Sequence, residues 1–108
     1  MKYLCLVYRS DDYPAGTDAE EQREYLDSLR RTGHFIAGEA LAPVSAGMLV
    51  RVRGGRLSVV SPPAGPAEQL DGLFLVDARD LNEAILLAAR SPSARAGTIE
   101  VRPVRDLP

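Results

Sequence analysis

Cysteine is almost absent from this sequence, since Cys5 is the only one among 108 residues. A single thiol excludes an internal disulfide and a zinc site built on several cysteines. Cys5 lies within an apolar segment, so we expect it to be a small core residue.

The sequence also lacks the features of membrane and nucleic-acid proteins. No apolar run approaches the roughly 20 residues of a membrane-spanning helix. Strand-like residues begin at Lys2, which leaves no layout for a signal peptide. The formal net charge of −2 provides no basic field for a phosphate backbone. We therefore expect a cytoplasmic protein that binds neither membranes nor nucleic acid.

What is present is ordinary for one globular unit. Hydrophobic residues make up 45% of the chain and charged residues 26%. This length has no room for a second core. We predict that residues 1–108 form a single domain.

The stretch 61–92 shows the organisation most clearly. Gly72–Ala78 (GLFLVDA) is a short apolar run bounded by turn residues, which predicts a buried central strand. Asp80 occupies the position of a helix N-cap, and Glu83 follows three residues later as in a capping box. Pro92 is expected to end this helix. Its predicted apolar face comprises Leu81, Ala84, Ile85 and Ala88.

The first third of the chain predicts a strand and a helix. Lys2–Tyr8 (KYLCLVY) is apolar on both faces, which is typical of a central strand covered on each side. Thr17 and Glu20 have capping-box spacing and begin an amphipathic helix over Asp18–Thr32. Gly33 follows as the residue type that best tolerates a left-handed conformation beyond a helix end. One side of the helix carries Gln22, Tyr25, Leu26 and Leu29.

His34–Leu41 (HFIAGEAL) is the second predicted strand, with Gly38 at a bulge or a close backbone approach. The carboxylate of Glu39 then lies among apolar neighbours in the strand interior. Alternation places His34 and Ile36 on one face and Phe35, Ala37 and Glu39 on the other.

Gly54 and Gly55 form a two-residue loop suited to turns that need positive φ. The strands Gly47–Arg53 and Arg56–Val60 flank this loop, so the segment predicts a hairpin with one apolar face. Pairing across the turn sets Val52 opposite Leu57 and Val50 opposite Val59, with Arg51 and Ser58 on the other face.

The last strand completes the predicted fold. Thr98–Val104 alternates apolar and charged residues, and Pro103, which cannot donate to a ladder, suits the end of an edge strand. The order of elements is that of an α+β, ferredoxin-like βαββαβ sandwich with an inserted hairpin. Two helices cover only one face of such a sheet. We therefore predict that the other face packs against a second copy, in a homodimer of the dimeric α/β-barrel type.

Four segments in order carry a family signature: MKYLCLVY, AGEAL, QLDGLFLVDARDLNEAILLAARSP and GTIEVRPV. Together they resemble the YCII-related superfamily, specifically its DGPF-domain branch, over nearly the whole chain. The resemblance implies a small, dimeric, ferredoxin-like protein. Most members have no established activity, and a few relatives look like lyases or dehydrochlorinases that act on small ring compounds. The superfamily pattern also includes a His and Asp pair in a pocket at the helix and sheet edge.

The chain departs from that pattern in two places. The branch's Asp-Gly-Pro-Phe motif and the acidic, lysine-containing stretch after it are here SPPAGPAEQ. Gly65, Pro66 and Glu68 correspond to the motif, whereas its Asp, Phe and Lys have no counterpart. The first helix contains REYLDSL and no histidine, so the catalytic role of the family histidine is not carried over to His34. Both departures concern catalysis and leave the fold inference unchanged.

Two residues are catalytic candidates. His34 is the only histidine, and histidine is the side-chain type whose unperturbed pKa lies near neutrality. The alternative is that His34 is simply a polar residue at a strand entrance. Glu39 is a carboxylate in an apolar strand, which is costly unless it is protonated or paired with an arginine such as Arg51 or Arg102. Because alternation separates His34 from Glu39, a site would use one of them, and we favour Glu39.

A substrate pocket is expected where the first two strands meet the loop Ser61–Gln69. There the guanidinium group of Arg51 or Arg102 would hold a carboxylate or phenolate of the substrate. The alternative is that these arginines form intersubunit salt bridges. A tyrosine would donate a hydrogen bond into the pocket, or pack with its hydroxyl in water. The substrate-binding candidates are Tyr8, Arg51, Glu68 and Arg102.

Two classes of function remain open. One is a small lyase-like, isomerase-like or dehydrochlorinase-like enzyme with a pocket at the dimer edge. The other is a non-catalytic module that binds a small ligand or a protein, accessory to transcription regulation, because relatives are joined to sigma-like regulators. No phosphate loop, dinucleotide fingerprint or metal-ligand spacing is present, so we expect no cofactor and no metal. The expected ligand is a small aromatic or carboxylic molecule.

Overall fold

The computed structural model describes residues 1–10, 19–63, 65 and 68–107. Thr17, Asp18 and Pro66, which have roles in the predicted first cap and motif loop, lie outside these residues. A short 3-10 helix, Val44–Ala46, accompanies the regular elements. Those elements are β1 (Lys2–Ser10), α1 (Ala19–Arg31), β2 (Phe35–Ala40), β3 (Leu49–Arg53), β4 (Arg56–Val60), β5 (Glu68–Asp77), α2 (Leu81–Ala89), α3 (Pro92–Ala96) and β6 (Gly97–Pro103).

Four strands form one sheet in the order β2-β5-β1-β6, and each neighbouring pair is antiparallel. The two central strands, β1 and β5, are those with apolar residues on both faces, and β6 is an edge strand as predicted. The α+β class is therefore confirmed, and the arrangement is compatible with a ferredoxin-like fold. The hairpin β3-β4 forms a separate two-stranded sheet instead of joining this one.

The helices cover one face of the four-stranded sheet, and the core lies between the helices and that face. The core includes Tyr25 and Leu29 of α1, as predicted from the helical period. On α2, Ala84 and Ala88 are buried as predicted, and Leu87 is buried as well. Leu81 and Ile85, which were also predicted to be buried, are exposed. The reason is that these two side chains border an open groove between α2 and β6. The remaining core residues are Tyr3, Cys5, Val7, Phe74, Val76 and Ala78.

Local capping determines where the helices after β5 begin. Asp80 Oδ1 accepts a 2.9 Å hydrogen bond from the backbone N–H of Glu83, which confirms the predicted N-cap. Pro92 does not simply end this helix, because α2 already ends at Ala89 and Pro92 begins α3. Proline suits a first helical position, where its missing N–H costs no hydrogen bond. The hydroxyl of Ser91 caps α3 by accepting from Ser93 N at 3.1 Å.

A register shift in β2 changes the predicted faces of that strand. Phe35 pairs with Val76, but the shift before Ala37 sets Glu39 opposite Leu73. Phe35 therefore lies on the helix side of the sheet, while Ala37 and Glu39 lie on the other side. The prediction that these three share a face is wrong, and so is the expectation that Glu39 is buried, since it is exposed.

The sheet side away from the helices, here called the open face, has no cover within the described residues. Leucines of the two central strands pair across its middle, Leu4 with Leu75 and Leu6 with Leu73. All four are partly exposed. Such an apolar strip beside water is the feature from which the sequence predicted a second copy.

The hairpin Leu49–Val60, here called the arm, has the predicted turn and register. Gly54 and Gly55 have φ of 55° and 76°. The radius of gyration is 15.8 Å, whereas a compact chain of this length has about 13 Å. The two strands of the arm pair only with each other. Its apolar face consists of Val50 opposite Val59 and Val52 opposite Leu57, and its other face carries Arg51, Arg53 and Arg56.

Candidate functional site

A cavity of about 220 Å³ opens between α1 and the ends of β1, β2 and β5. This is the end of the sheet at which the sequence placed a pocket. Its wall is apolar on the side of Val7, Leu26 and Phe74. Its polar lining comprises Arg9, Gln22, Asp71 and Ser93, and Glu39 and Leu73 border it at the sheet.

Arg9 is the most enclosed charged group of the cavity. It lies near the end of β1, and its side chain is only 11% exposed. Its Nη2 donates to the hydroxyl of Ser93 at 3.3 Å, and its Nε lies 3.6 Å from Asp71 Oδ2. A guanidinium held in this way puts a positive charge in one fixed position on the wall of the cavity.

A bulge in β5 explains how Asp71 comes to lie beside Arg9. Val7 pairs with Gly72 and Tyr8 pairs with Leu70, which leaves Asp71 as the extra residue. A bulge of this kind re-aims a side chain that regular alternation would direct elsewhere. The backbone of Asp71 still joins the sheet edge, because its carbonyl oxygen accepts from Leu41 N at 2.9 Å.

Gln22 supplies a polar group to the cavity from the side of α1. It shares one face of α1 with Leu26 and Leu29, which brings it over the sheet. Its Oε1 is buried and has no hydrogen-bond partner in the part of the chain that the structure describes. A buried acceptor without a partner costs about 1–3 kcal/mol, so it marks a place for a bound donor.

A second polar cluster lies at the other end of β2. His34 Nδ1 is 2.9 Å from the carbonyl oxygen of Asp77, so this nitrogen carries the hydrogen. The same Nδ1 is 3.8 Å from Glu83 Oε1. The backbone N–H of Arg79 and then its guanidinium, 2.6 Å from Glu83 Oε2, hold the pKa of Glu83 below its usual range. His34 is thus oriented, but away from the cavity beside Arg9.

Family membership follows from the whole chain rather than from one motif. The family model of the YCII-related domain matches residues 1–108. The chain belongs to the YCII-related domain family. The match confirms the resemblance carried by four segments of the sequence, while no curated protein matches the chain.

Most site residues predicted for this YCII-related chain lie on the open face. Glu39 alone of the predicted set borders the cavity. Arg102 Nε donates to Glu100 Oε2 at 2.6 Å, so its ion pair is with Glu100 on the same strand. The cross-strand pairs that define this set are Tyr8 with Leu70, Glu39 with Leu73, Glu68 with Ser10 and Arg102 with Leu4.

The remaining predicted residues lie elsewhere in the molecule. Arg51 is on the exposed polar face of the arm, opposite Ser58. His34 belongs to the cluster with Glu83, a partner that the sequence analysis did not identify. The structure therefore does not bring Arg51, His34 and Glu39 to one cavity.

Four cavity residues were missed, and one of them had a signal in the sequence. Gln22 was placed on the apolar side of α1, where an amide among tyrosine and leucines indicates a buried polar role. Arg9, Asp71 and Ser93 come together through tertiary contacts and a bulge. Arg9 and Ser93 are 84 residues apart, and no local pattern predicts such a pair.

Cys5 is the buried core residue that the sequence predicted. Burial raises the pKa of its thiol to about 11. Since the thiolate is the reactive form, this cysteine is not a nucleophile at neutral pH.

The residues that the structure describes contain no group of three or more His, Cys, Asp or Glu side chains placed to hold a metal ion. None of their helices has the length and apolar character needed to cross a membrane.

Proposed function

We propose that this YCII-related protein binds a small molecule in the cavity beside Arg9. One observation carries the proposal: a nearly buried guanidinium and the unpartnered amide oxygen of Gln22 line the same cavity. A protein that only needed a stable core would gain by replacing that amide with an apolar side chain. Polar groups that converge in an otherwise apolar cavity are the usual form of a ligand site.

The lining indicates the chemistry of the ligand. The apolar wall of Val7, Leu26 and Phe74 suits a flat or aliphatic body. Gln22 Oε1 calls for an N–H or O–H donor on the ligand, and the positive charge of Arg9 disfavours a cationic ligand. At about 220 Å³ the cavity is smaller than the roughly 300–1,000 Å³ of drug-sized sites, so the ligand is small.

Binding is favoured over the predicted enzymatic role. Proton transfer needs an acid or base within hydrogen-bond reach of the reacting group. The register directs Glu39 to the open face with Leu73, and His34 lies at the other end of β2. These two candidates therefore cannot act together on a ligand beside Arg9.

The test uses isothermal titration calorimetry with three probes that share a benzene ring: phenol, benzoate and benzylamine. We expect phenol to bind, because its hydroxyl can donate to Gln22 Oε1 and the molecule carries no positive charge beside Arg9. Gln22→Leu should weaken phenol binding about tenfold, which corresponds to one lost hydrogen bond. Arg23→Leu is the matched control, because Arg23 is the exposed next residue on α1.

Two results would overturn the binding proposal. One is the absence of heat for all three probes with the folded wild-type protein. The other is unchanged phenol affinity in Gln22→Leu. Ser93→Ala, which removes the hydroxyl that accepts from Arg9, serves as a second variant if Gln22→Leu proves insoluble.

We further propose that the protein is a homodimer with packed open faces. The support is the leucine strip of the two central strands, which is partly exposed in the single chain. Burial of apolar surface contributes about 25 cal/mol per Å². Light scattering should give the mass of a dimer, and Leu6→Lys should give a monomer. Leu86→Lys, on the exposed side of α2, should leave the dimer intact.

Three finer expectations remain predictions. They are membership of the DGPF branch, a cytoplasmic location, and a single domain over residues 1–108. The substrate-binding roles of Tyr8, Glu68 and Arg102 also remain predictions. If they are correct, those roles belong to the open face and hence to the space between two copies.

A further inference from the structure

The arm has an apolar face that nothing in the described chain covers. The side chains of Val50, Val52, Leu57 and Val59 form this face in two cross-strand pairs. These residues are between 48% and 68% exposed. No charged residue belongs to this face, so it can be buried without desolvating a charge.

The opposite face of the arm has the reverse character. Arg51, Arg53 and Arg56 all lie on it, and residues 40–67 contain no acidic side chain. The arm therefore has three positive charges. Since the whole chain has a formal net charge of −2, the rest of the chain carries −5. A second copy of this chain offers the arm a body of opposite charge.

The open face alone is smaller than a standard protein interface. Four strands about 4.8 Å apart, with about six paired residues each, give a flat area of about 400 Å². A standard interface buries about 800 Å² per partner. The arm adds about 160 Å² by the same geometry, which brings the contact closer to what a stable dimer needs.

We infer that the apolar face of the arm packs on the open face of a second copy and extends the sheet-to-sheet contact. The inference rests on the dimer proposed above and names the element that completes it. The arm follows β2 and precedes β5 in the chain and pairs with neither strand; in the inferred dimer it lies alongside the partner's sheet. The leucine strip there is the complementary apolar surface, and the three arginines remain at the rim.

The experiment places the same charge on the two faces of the arm. Leu57→Arg puts a charge on the apolar face, and Ser58→Arg puts one on the polar face at the next residue of the same strand. Analytical ultracentrifugation over a concentration series measures the dimer dissociation constant of each variant. We expect Leu57→Arg to raise this constant at least about 100-fold, and Ser58→Arg to change it less than about threefold.

The outcomes separate this inference from the dimer proposal. If the wild type is a monomer, the dimer proposal fails. If the wild type and Leu57→Arg dimerise equally, the dimer stands and the role of the arm is refuted. Equal weakening by Leu57→Arg and Ser58→Arg would also refute it, because the effect would then come from net charge. Val59→Arg is the second apolar-face variant, and unchanged circular dichroism confirms folding of each protein.

Discussion

The hydroxyl of Tyr25 donates a 2.6 Å hydrogen bond to the carbonyl oxygen of Leu87 and so joins α1 to α2. The ring of Tyr25 also meets Phe74 edge to face, with centroids 5.9 Å apart. Burial raises the pKa of this tyrosine well above its usual range. One side chain thus connects both helices to the sheet beneath them.

Tyr25→Phe should lower the free energy of unfolding by about 1 kcal/mol, because it removes this hydrogen bond and keeps the ring contact. Urea denaturation gives the value. Tyr3→Phe is the control, because Tyr3 is equally buried and its hydroxyl has only a long 3.9 Å contact to the Met1 sulfur. An equal loss in both variants would show that the bond to Leu87 is unimportant.

Gly97→Ala should be among the most destabilising small substitutions in the chain. A Cβ at Gly97 would lie 2.0 Å from the carbonyl oxygen of Tyr8, so β6 would have to move away from β1. We expect a loss of about 3 kcal/mol, at the upper end for overpacking. Gly47→Ala, at a negative φ, should cost less than about 1 kcal/mol. Similar melting temperatures for the two variants would contradict this close approach.

Asp80→Ala should lower stability by about 1 kcal/mol, since the N–H of Glu83 loses its acceptor at the start of α2. Asn82→Ala tests the same turn without touching the cap. Thermal unfolding followed by circular dichroism compares the two variants. The capping interpretation would be abandoned if Asn82→Ala had the larger effect.

Stability should fall at alkaline pH because of Cys5. Burial raises its pKa to about 11 in the folded state, so between pH 9 and 11 the folded state retains a proton that the unfolded chain has lost. The contribution is complete below pH 9 and is lost as the pH rises through 11, at about 1.4 kcal/mol per unit.

Urea titrations between pH 8 and 11 measure this dependence. Cys5→Ala should show a weaker decline over the same range, although it is less stable throughout because of the cavity it creates. Parallel curves for the two proteins would assign the decline to other groups, such as Tyr25.

Most of the regular structure could be predicted, because its signals are local. Asp80, Gly33 and the pair Gly54-Gly55 act within a few residues, and apolar alternation distinguishes the central strands from the edge strand. The positions of the two bulges could not be predicted, although Gly38 indicated an irregularity in the second strand. The shift after Phe35 and the extra residue Asp71 depend on how neighbouring strands pair, and each changes which side chains share a face.

The candidate site was predictable in place but not in composition. The cavity beside Arg9 opens at the end of the sheet where a pocket was expected, but no residue of the loop 61–69 that the structure describes lines it, and the side chain expected to be buried there, Glu39, is exposed. Glu39 was predicted to be a site residue because a charged group in an apolar strand is costly to bury. The charged group that is nearly buried is instead Arg9, and its partners Asp71 and Ser93 come from distant parts of the chain.

The arm begins after β2 and returns into β5, the two strands whose ends line the cavity. A ligand that alters the spacing of these strands therefore displaces the base of the arm. On the two proposals made above, ligand binding and self-association are linked equilibria. Thermodynamic reciprocity requires that the factor by which the ligand changes dimer affinity is the factor by which dimerisation changes ligand affinity. Titrations above and below the dimer dissociation constant would measure one coupling free energy from either direction.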